Sequence, residues 1–436
     1  MKFNNYMGRY FEEKNNILYI DGVSAAGLVK EYGTPLYVFS ERAIRENCRS
    51  YKYSIEKNYN GKGLALYASK AFSCLAIYHI IAEEGLGADV VSGGELYTAL
   101  KAGMDPSLIY FHGNNKTDDE LRMAAESGIG HVVVDNREEL IRLNSIAAET
   151  GRIINISFRI KPGIDAHTHE AVMTGQIDSK FGVALENGEA FEICDFARTL
   201  PNVKLVGVHC HIGSQIFDTE PFTAAAEVMI NFMAELREKT GTELKELNLG
   251  GGFGIRYLPS DNHKSYEEFM SKVSAKIKEI CKERDFPVPF VLVEPGRSIV
   301  GTAGITLYTI GSVKNIKNVR TYVSVDGGMT DNPRFALYGS AYNMDIATRL
   351  TDKKDTKVTV AGKCCESGDL LAKDIYLQSP VGGDILAVYC TGAYNYSMAS
   401  NYNRIPRPAV ALINDGESRI IVKKEKYSDL IINDVP

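Results

Sequence analysis

A lysine, a glutamate, a pair of histidines and a glycine run each sit at the end of a short apolar stretch in this chain. In LALYASKA, Lys70 lies two residues beyond the apolar run Leu64–Ala68. A lysine there is either a snorkelling side chain at a helix start or an amine that desolvation makes nucleophilic, of the kind that forms Schiff bases. Glu294 ends the run Val291–Glu294. A carboxylate in that place either pairs with a nearby cation or holds a proton on a heteroaromatic nitrogen. In HCHIGS, His209 and His211 fall on one side of extended backbone. One imidazole can stack on a planar ring and Ser214 can bind a phosphate; the alternative, a hydrogen-bonded structural histidine, suits His209 better than His211. Gly250, Gly251 and Gly252 let backbone N–H groups turn toward an anion with no Cβ in the way. Alone, three glycines read as a tight turn. Gly296 and Arg297 occupy the matching place after the next run, which favours a phosphate cradle.

Positioning these groups requires strands that end on a common edge. Eight apolar runs alternate with helix-like segments: Leu64–Ala68, Ala88–Val91, Leu108–Phe111, His131–Val134, Ile154–Ile160, Leu205–His209, Glu246–Leu249 and Val291–Glu294. Each is followed by polar or glycine-rich residues, including Ser92-Gly93-Gly94-Glu95, His112-Gly113 and Asp135-Asn136. Eight strand–helix units predict an α/β fold, a (β/α)8 TIM-like barrel whose carboxyl-end loops form the site. An open doubly wound sheet is the alternative, but no break into halves is visible. After Ile299 short β-like runs take over, among them Thr306–Ile316, Arg320–Val325 and Ser418–Val422. The expected domains are an N-terminal segment, 1–40, pairing with the β domain; a barrel, 41–298; and a mostly β domain, 299–436. The helical spacing of Ala71–Glu84 predicts a helix directly after Lys70.

Bulk properties bound the rest. The 436 residues carry a net charge of −6, are 44% hydrophobic and 24% charged, and show no basic block, which argues against nucleic acid or an anionic membrane as partner. No secretory leader is expected in MKFNNYMGRYFEEKNN, and no membrane span. The eight cysteines have no metal-ligand or disulfide spacing, so no metal is expected and a reducing cytoplasm is.

An amine, a phosphate cradle, a ring-nitrogen carboxylate and a stacking imidazole, each on its own barrel loop, describe a pyridoxal 5'-phosphate site. Beyond these residues, YASKA, HCHIGS, GGGFG and EPGR, with DNPRFALY, CCESGD and GAYNYSMASNYN, resemble the diaminopimelate decarboxylases. That family belongs to the alanine-racemase-like, fold-type III pyridoxal-phosphate decarboxylases. The resemblance spans nearly the whole chain and implies decarboxylation of meso-2,6-diaminopimelate to L-lysine. It implies Lys70 as the cofactor's lysine, His211 as the stacking ring and Glu294 as the partner of the pyridine nitrogen. Ser214, Gly251, Gly252, Gly296 and Arg297 would lie near phosphate or substrate. Arg334 and Tyr338 would clamp the substrate's distal end, and Tyr394 would touch cofactor and substrate. Cys365, a candidate proton donor, and Glu366 would reach into a partner subunit's site, making the protein a homodimer. Ornithine-type decarboxylases need no distal carboxylate clamp, so Arg334 favours diaminopimelate. Racemases typically place Arg at the ring nitrogen, which Glu294 speaks against.

Overall fold

A computed structural model describes residues 7–164 and 178–435. The eight runs form eight strands: β1 (Gly63–Ala68), β2 (Gly87–Val90), β3 (Ile109–Phe111), β4 (His131–Val134), β5 (Ile154–Lys161), β6 (Val203–His209), β7 (Glu246–Asn248) and β8 (Phe290–Val293). All pair in parallel, and β8 returns to β1 through Val291–Gly63, Leu292–Leu64 and Val293–Ala65, closing the barrel. Strands in such a ring face side chains inside and helices outside, so near-continuous apolar runs are what the geometry demands. Leu66, Tyr110, Val133 and Leu292 form one cluster contributed by β1, β3, β4 and β8.

Helices follow the first seven strands, and four of them start on a polar cap. Ser92, Thr117, Asn136 and Ser265 each accept the N–H of a glutamate three residues on. Capping satisfies first-turn donors that would otherwise be orphaned. The helix expected at Ala71 starts instead at Leu75. Ser69–Ala71 is a single 3-10 turn, after which Phe72 and Cys74 are extended. The Tyr67 hydroxyl donates to the Phe72 carbonyl at 2.8 Å, taking up an acceptor that a helix through this point would use.

The chain divides into two compact units. One is the barrel, Cys48–Gly254 and His263–Gly296. The other holds the residues up to Asn47, Ile255–Asn262 and those from Arg297 on. The 41–298 expectation ran through Ile255–Asn262 without a break. In the structure Ile255 and Tyr257 are buried in the core of the β unit, and Tyr257 packs edge-on against Tyr342, ring centroids 5.5 Å apart.

The β unit is built on Gly304–Ile316, a 13-residue strand. It pairs with Arg320–Val325, Ile385–Val388 and the N-terminal strand Leu36–Ser40. Leu36–Ser40 also lies parallel to Ala409–Asn414 and is buried throughout. Ile17–Ile20, in the 1–40 segment expected to pair with the β domain, pairs with Phe11–Lys14 and Val23–Ser24 in a small sheet of its own. Reversals at Asn15-Asn16 and Asp21-Gly22, all at positive φ, fold these strands onto one another. No helix among the described residues is long and apolar enough to cross a membrane.

One buried ion pair ties the barrel to its outer layer. Lys116, 2% exposed, donates to the Gly113 carbonyl, the Val133 carbonyl and Glu139 Oε1 at 2.9, 2.8 and 2.7 Å. Lys116→Met leaves the Glu139 charge buried alone and is expected to cost about 3–5 kcal/mol in the barrel's urea transition. Lys116→Met/Glu139→Leu, which removes both charges, should recover most of that loss. An unchanged single-mutant transition would contradict this role.

Candidate active site

Glu294, one residue past β8 and 6% exposed, is surrounded by donors from other strand ends. Its Oε1 accepts the Asn248 side-chain N–H at 2.7 Å, and its Oε2 faces His209 Nε2 at 3.2 Å. His112 Nε2 stands 2.9 Å from Oε1, close enough for electrostatic pairing but off the line of a hydrogen bond. Burial alone would raise the Glu294 pKa; the facing imidazoles outweigh it and hold the carboxyl well below its usual range. Burial pulls His209 down to about 4. At neutral pH His209 therefore meets Glu294 as a neutral N–H donor and does not cancel its charge. Asp89, at the end of β2, is buried with Oδ1 lacking a hydrogen-bond partner, 3.8 Å from His112 Nε2. Burial raises its pKa against the pull of His112 and Lys70. The Arg159 charge faces Asp135, Glu294 and Asp89 from β5.

Lys70 lies in the 3-10 turn after β1, and its neighbour holds that turn. Ser69 Oγ shares its one proton between the Asp89 carbonyl at 2.9 Å and Glu95 Oε2 at 2.7 Å, and the same Glu95 oxygen accepts the Val91 N–H at 2.8 Å. The Lys70 charge acts on Asp89, Glu95 and His211. Burial, then the Lys70 charge, keep His211 well below the normal histidine range. Its Nδ1 accepts the Gly251 N–H at 3.2 Å, which puts the ring proton on Nε2.

The glycine loops approach backbone to backbone. A Cβ on Gly251 would run into the Glu294 carbonyl oxygen, one on Gly252 into the Gly213 carbonyl and one on Gly296 into the Ala68 carbonyl. Gly252 and Gly213 also take φ of 109° and 148°, which side chains avoid. Lys70, His211, Ser214, Gly251, Gly252, Glu294 and Gly296 thus all belong to strand ends of the barrel unit.

The remaining candidates belong to the β unit. Arg297, one peptide bond beyond Gly296, donates to the Tyr257 hydroxyl at 2.5 Å and lies over the Tyr394 ring, 4.7 Å from its centroid. Arg334 lies over Tyr338 and Tyr394 at 5.4 and 5.8 Å. Tyr394 itself has φ of 61°, an unusual value for an aromatic residue and one that clusters at functional sites. Arg334 Nε is buried without an acceptor, and among the described residues no carboxylate pairs with this guanidinium. Cys365 and Glu366 lie on a separate, exposed turn, where the Cys365 N–H donates to Asn403 Oδ1 at 2.7 Å.

Asp89, His112, Asn248, Arg159 and Tyr257 had no assigned part in the sequence reading. Asp89 and His112 carry a usable signal, since each is a charge or imidazole at the end of an otherwise apolar strand. Arg159 and Tyr257 carry none.

Residues 41–301 match the family model of the pyridoxal-dependent decarboxylase pyridoxal-binding domain. The chain is 49% identical to a diaminopimelate decarboxylase of Bacillus subtilis, over 98% of this chain and 97% of the relative. It is 44% identical to one of Synechocystis, over 97% and 91%. The fold superposes with a TM-score of 0.92 on the crystal structure of diaminopimelate decarboxylase from M. jannaschii in co-complex with L-lysine, at 36% identity, covering 99% of this chain and 98% of that one. A shared sequence over almost the full length, with the same barrel and β units, makes this chain a member of the diaminopimelate decarboxylase family of pyridoxal-dependent decarboxylases.

Proposed function

We propose that this chain removes CO2 from meso-2,6-diaminopimelate to give L-lysine, the last step of lysine biosynthesis, with Lys70 and Glu294 holding pyridoxal phosphate at its two ends of reactivity. The observation that carries the reading is a carboxylate, Glu294, buried at a barrel mouth and held ionised by the groups around it. The residues fit that cofactor. Gly251, Gly252 and Gly296 let the strand-end loops meet backbone to backbone with no Cβ between them, which leaves main-chain N–H groups to face an anion, and Glu294 is a charged acceptor suited to a ring N–H. When bound, pyridoxal phosphate supplies an electron-poor ring that takes up the electron pair released as the carboxylate leaves.

The chain's own groups then have distinct tasks. Lys70 would hold the cofactor at its aldehyde carbon, the position the substrate's amine must reach. Glu294 keeps the pyridine nitrogen protonated, and Asn248 and His209 keep Glu294 aimed and ionised. His211, neutral and locked by Gly251, offers a flat ring for stacking. Ser214, Gly251, Gly252 and Gly296 take the phosphate. Arg297 and Tyr394 contact cofactor and substrate. Arg334, with Tyr338, takes the distal carboxylate, for which its unpaired Nε supports a planar, bidentate grip. Cys365 returns a proton to the reacting carbon and Glu366 meets the distal amine, both toward the site of a partner subunit, so the working unit is a homodimer. All eight cysteines are free, which supports a reducing, cytoplasmic setting.

Borohydride reduction of the holoprotein followed by peptide mapping is expected to find the cofactor's mass on the peptide carrying Lys70; a label on a different lysine ends that assignment. Arg334→Leu should lower kcat/KM for meso-diaminopimelate by roughly 30- to several-thousand-fold, equivalent to losing about 2–5 kcal/mol of charged contact. Any residual turnover of D-lysine, which lacks the distal carboxylate, should change far less. Equal losses on both substrates would make Arg334 structural and bring an ornithine-type activity forward.

A further inference from the structure

Two turns of the β unit carry the substrate-facing candidates: 327–332, which leads through Pro333 into Arg334, and 362–369, which carries Cys365 and Glu366. A single side chain joins them. Asp369 is 2% exposed. Its Oδ1 accepts the Met329 N–H of the first turn at 2.6 Å, and its Oδ2 accepts the Cys364 N–H of the second at 2.7 Å. The Lys363 N–H adds a third link, to the Gly327 carbonyl at 2.9 Å. Asp369 also closes its own turn, donating its N–H to the Glu366 carbonyl at 3.1 Å and accepting the Gly362 N–H at 3.0 Å.

The surroundings are shaped to this carboxylate. A Cβ on Gly328 or on Gly362 would collide with it, so both turns leave out side chains to admit it. No cation pairs with Asp369 among the described residues; its charge is met by backbone N–H groups, which are fixed in direction. The first turn is anchored in turn to the sheet. Asp331 Oδ1 accepts the Gly328 N–H at 3.0 Å, Asp331 Oδ2 accepts the Tyr308 hydroxyl at 2.5 Å, and the Ser400 N–H donates to the Thr330 carbonyl at 2.8 Å. The Cys365–Glu366 turn is exposed, and among the described residues its links outside Asp369 include the Lys363 N–H and the bond from Cys365 to Asn403.

We propose that Asp369 is a positioning residue that holds the Cys365–Glu366 turn in fixed relation to the Arg334 segment, so that proton delivery and carboxylate recognition are both set by one carboxylate. This rests on the reading of Arg334, Cys365 and Glu366 given above. An amide cannot replace the carboxylate. Whichever way Asn at 369 is flipped, one backbone N–H faces an NH2 group and one of the two turns is released.

The test is steady-state kinetics of the holoenzyme for Asp369→Asn beside Val358→Ala, a core truncation in the same unit chosen to lower Tm. Asp369→Asn is expected to lose about 10²-fold in kcat/KM for meso-diaminopimelate, with KM raised and kcat lowered together and cofactor affinity unchanged. Val358→Ala should keep both constants within about twofold of wild type. If Asp369→Asn does not fold, Gly362→Ala, which displaces the carboxylate sterically, should show the same paired change. Wild-type kinetics in Asp369→Asn, or a loss matched by Val358→Ala, overturns the proposal. Arg334→Leu separates the two levels. If it selectively damages diaminopimelate turnover while Asp369→Asn leaves kcat and KM alone, this inference alone fails; if both are silent, the functional reading fails with it.

Discussion

A carboxylate that stays ionised inside a protein has to be surrounded, and the barrel's upper end is arranged to surround Glu294. Desolvation of an isolated carboxylate costs several kcal/mol, so the group protonates unless donors hold it. Asn248 from β7 and His209 from β6 supply them, with His112 beside them from β3. Those strands must therefore end at matching heights, which the parallel register provides: His209 is level with Asn248, and Asn248 with Leu292, two residues before Glu294. Because His209 is held near 4, it stabilises the anion without neutralising it. The charge is kept available for something that binds later.

The loops around this point follow from the same crowding. Gly251 can pass the Glu294 carbonyl only because it lacks a side chain, and its N–H then fixes the His211 tautomer. On the other side of the strand ends, Ser69 bridges the Asp89 carbonyl and Glu95. That bridge makes Ser69–Ala71 a separate turn and keeps Lys70 out of the helix that follows. The amine is thereby held by backbone geometry rather than by the flexible first turn of a helix.

Much of this was legible in the residues. The eight strands were visible because a strand buried on both faces must be apolar nearly throughout, as Leu64–Ala68 is. GGGFG was informative for the opposite reason, since repeated glycine has a high conformational cost that a backbone-close loop explains. Other features were hidden by the nature of the signal. Leu370–Leu377 carries a weak strand signal because LLAKDIYL mixes charges into its exposed face. Ile255–Asn262 follows directly on the glycine run, and nothing local says that its apolar residues bury elsewhere. The partners of Glu294 were hidden because the residues between Asn248, His209 and His112 carry no information about which strand ends meet. Lys70 and Glu294 were readable as chemistry; the shell that makes Glu294 usable became readable only from strand register.

The central claim is that the Glu294 charge, and not its shape, drives the reaction. Glu294→Gln keeps the side-chain volume and an acceptor oxygen while removing the charge. The most direct measurement is single-turnover decarboxylation of meso-diaminopimelate by this variant after loading with pyridoxal phosphate, alongside the cofactor's dissociation constant. The rate should fall by a factor on the order of 10²–10³, with cofactor affinity nearly that of the wild type, since the glycine loops are untouched. A variant that decarboxylates at the wild-type rate would contradict the account.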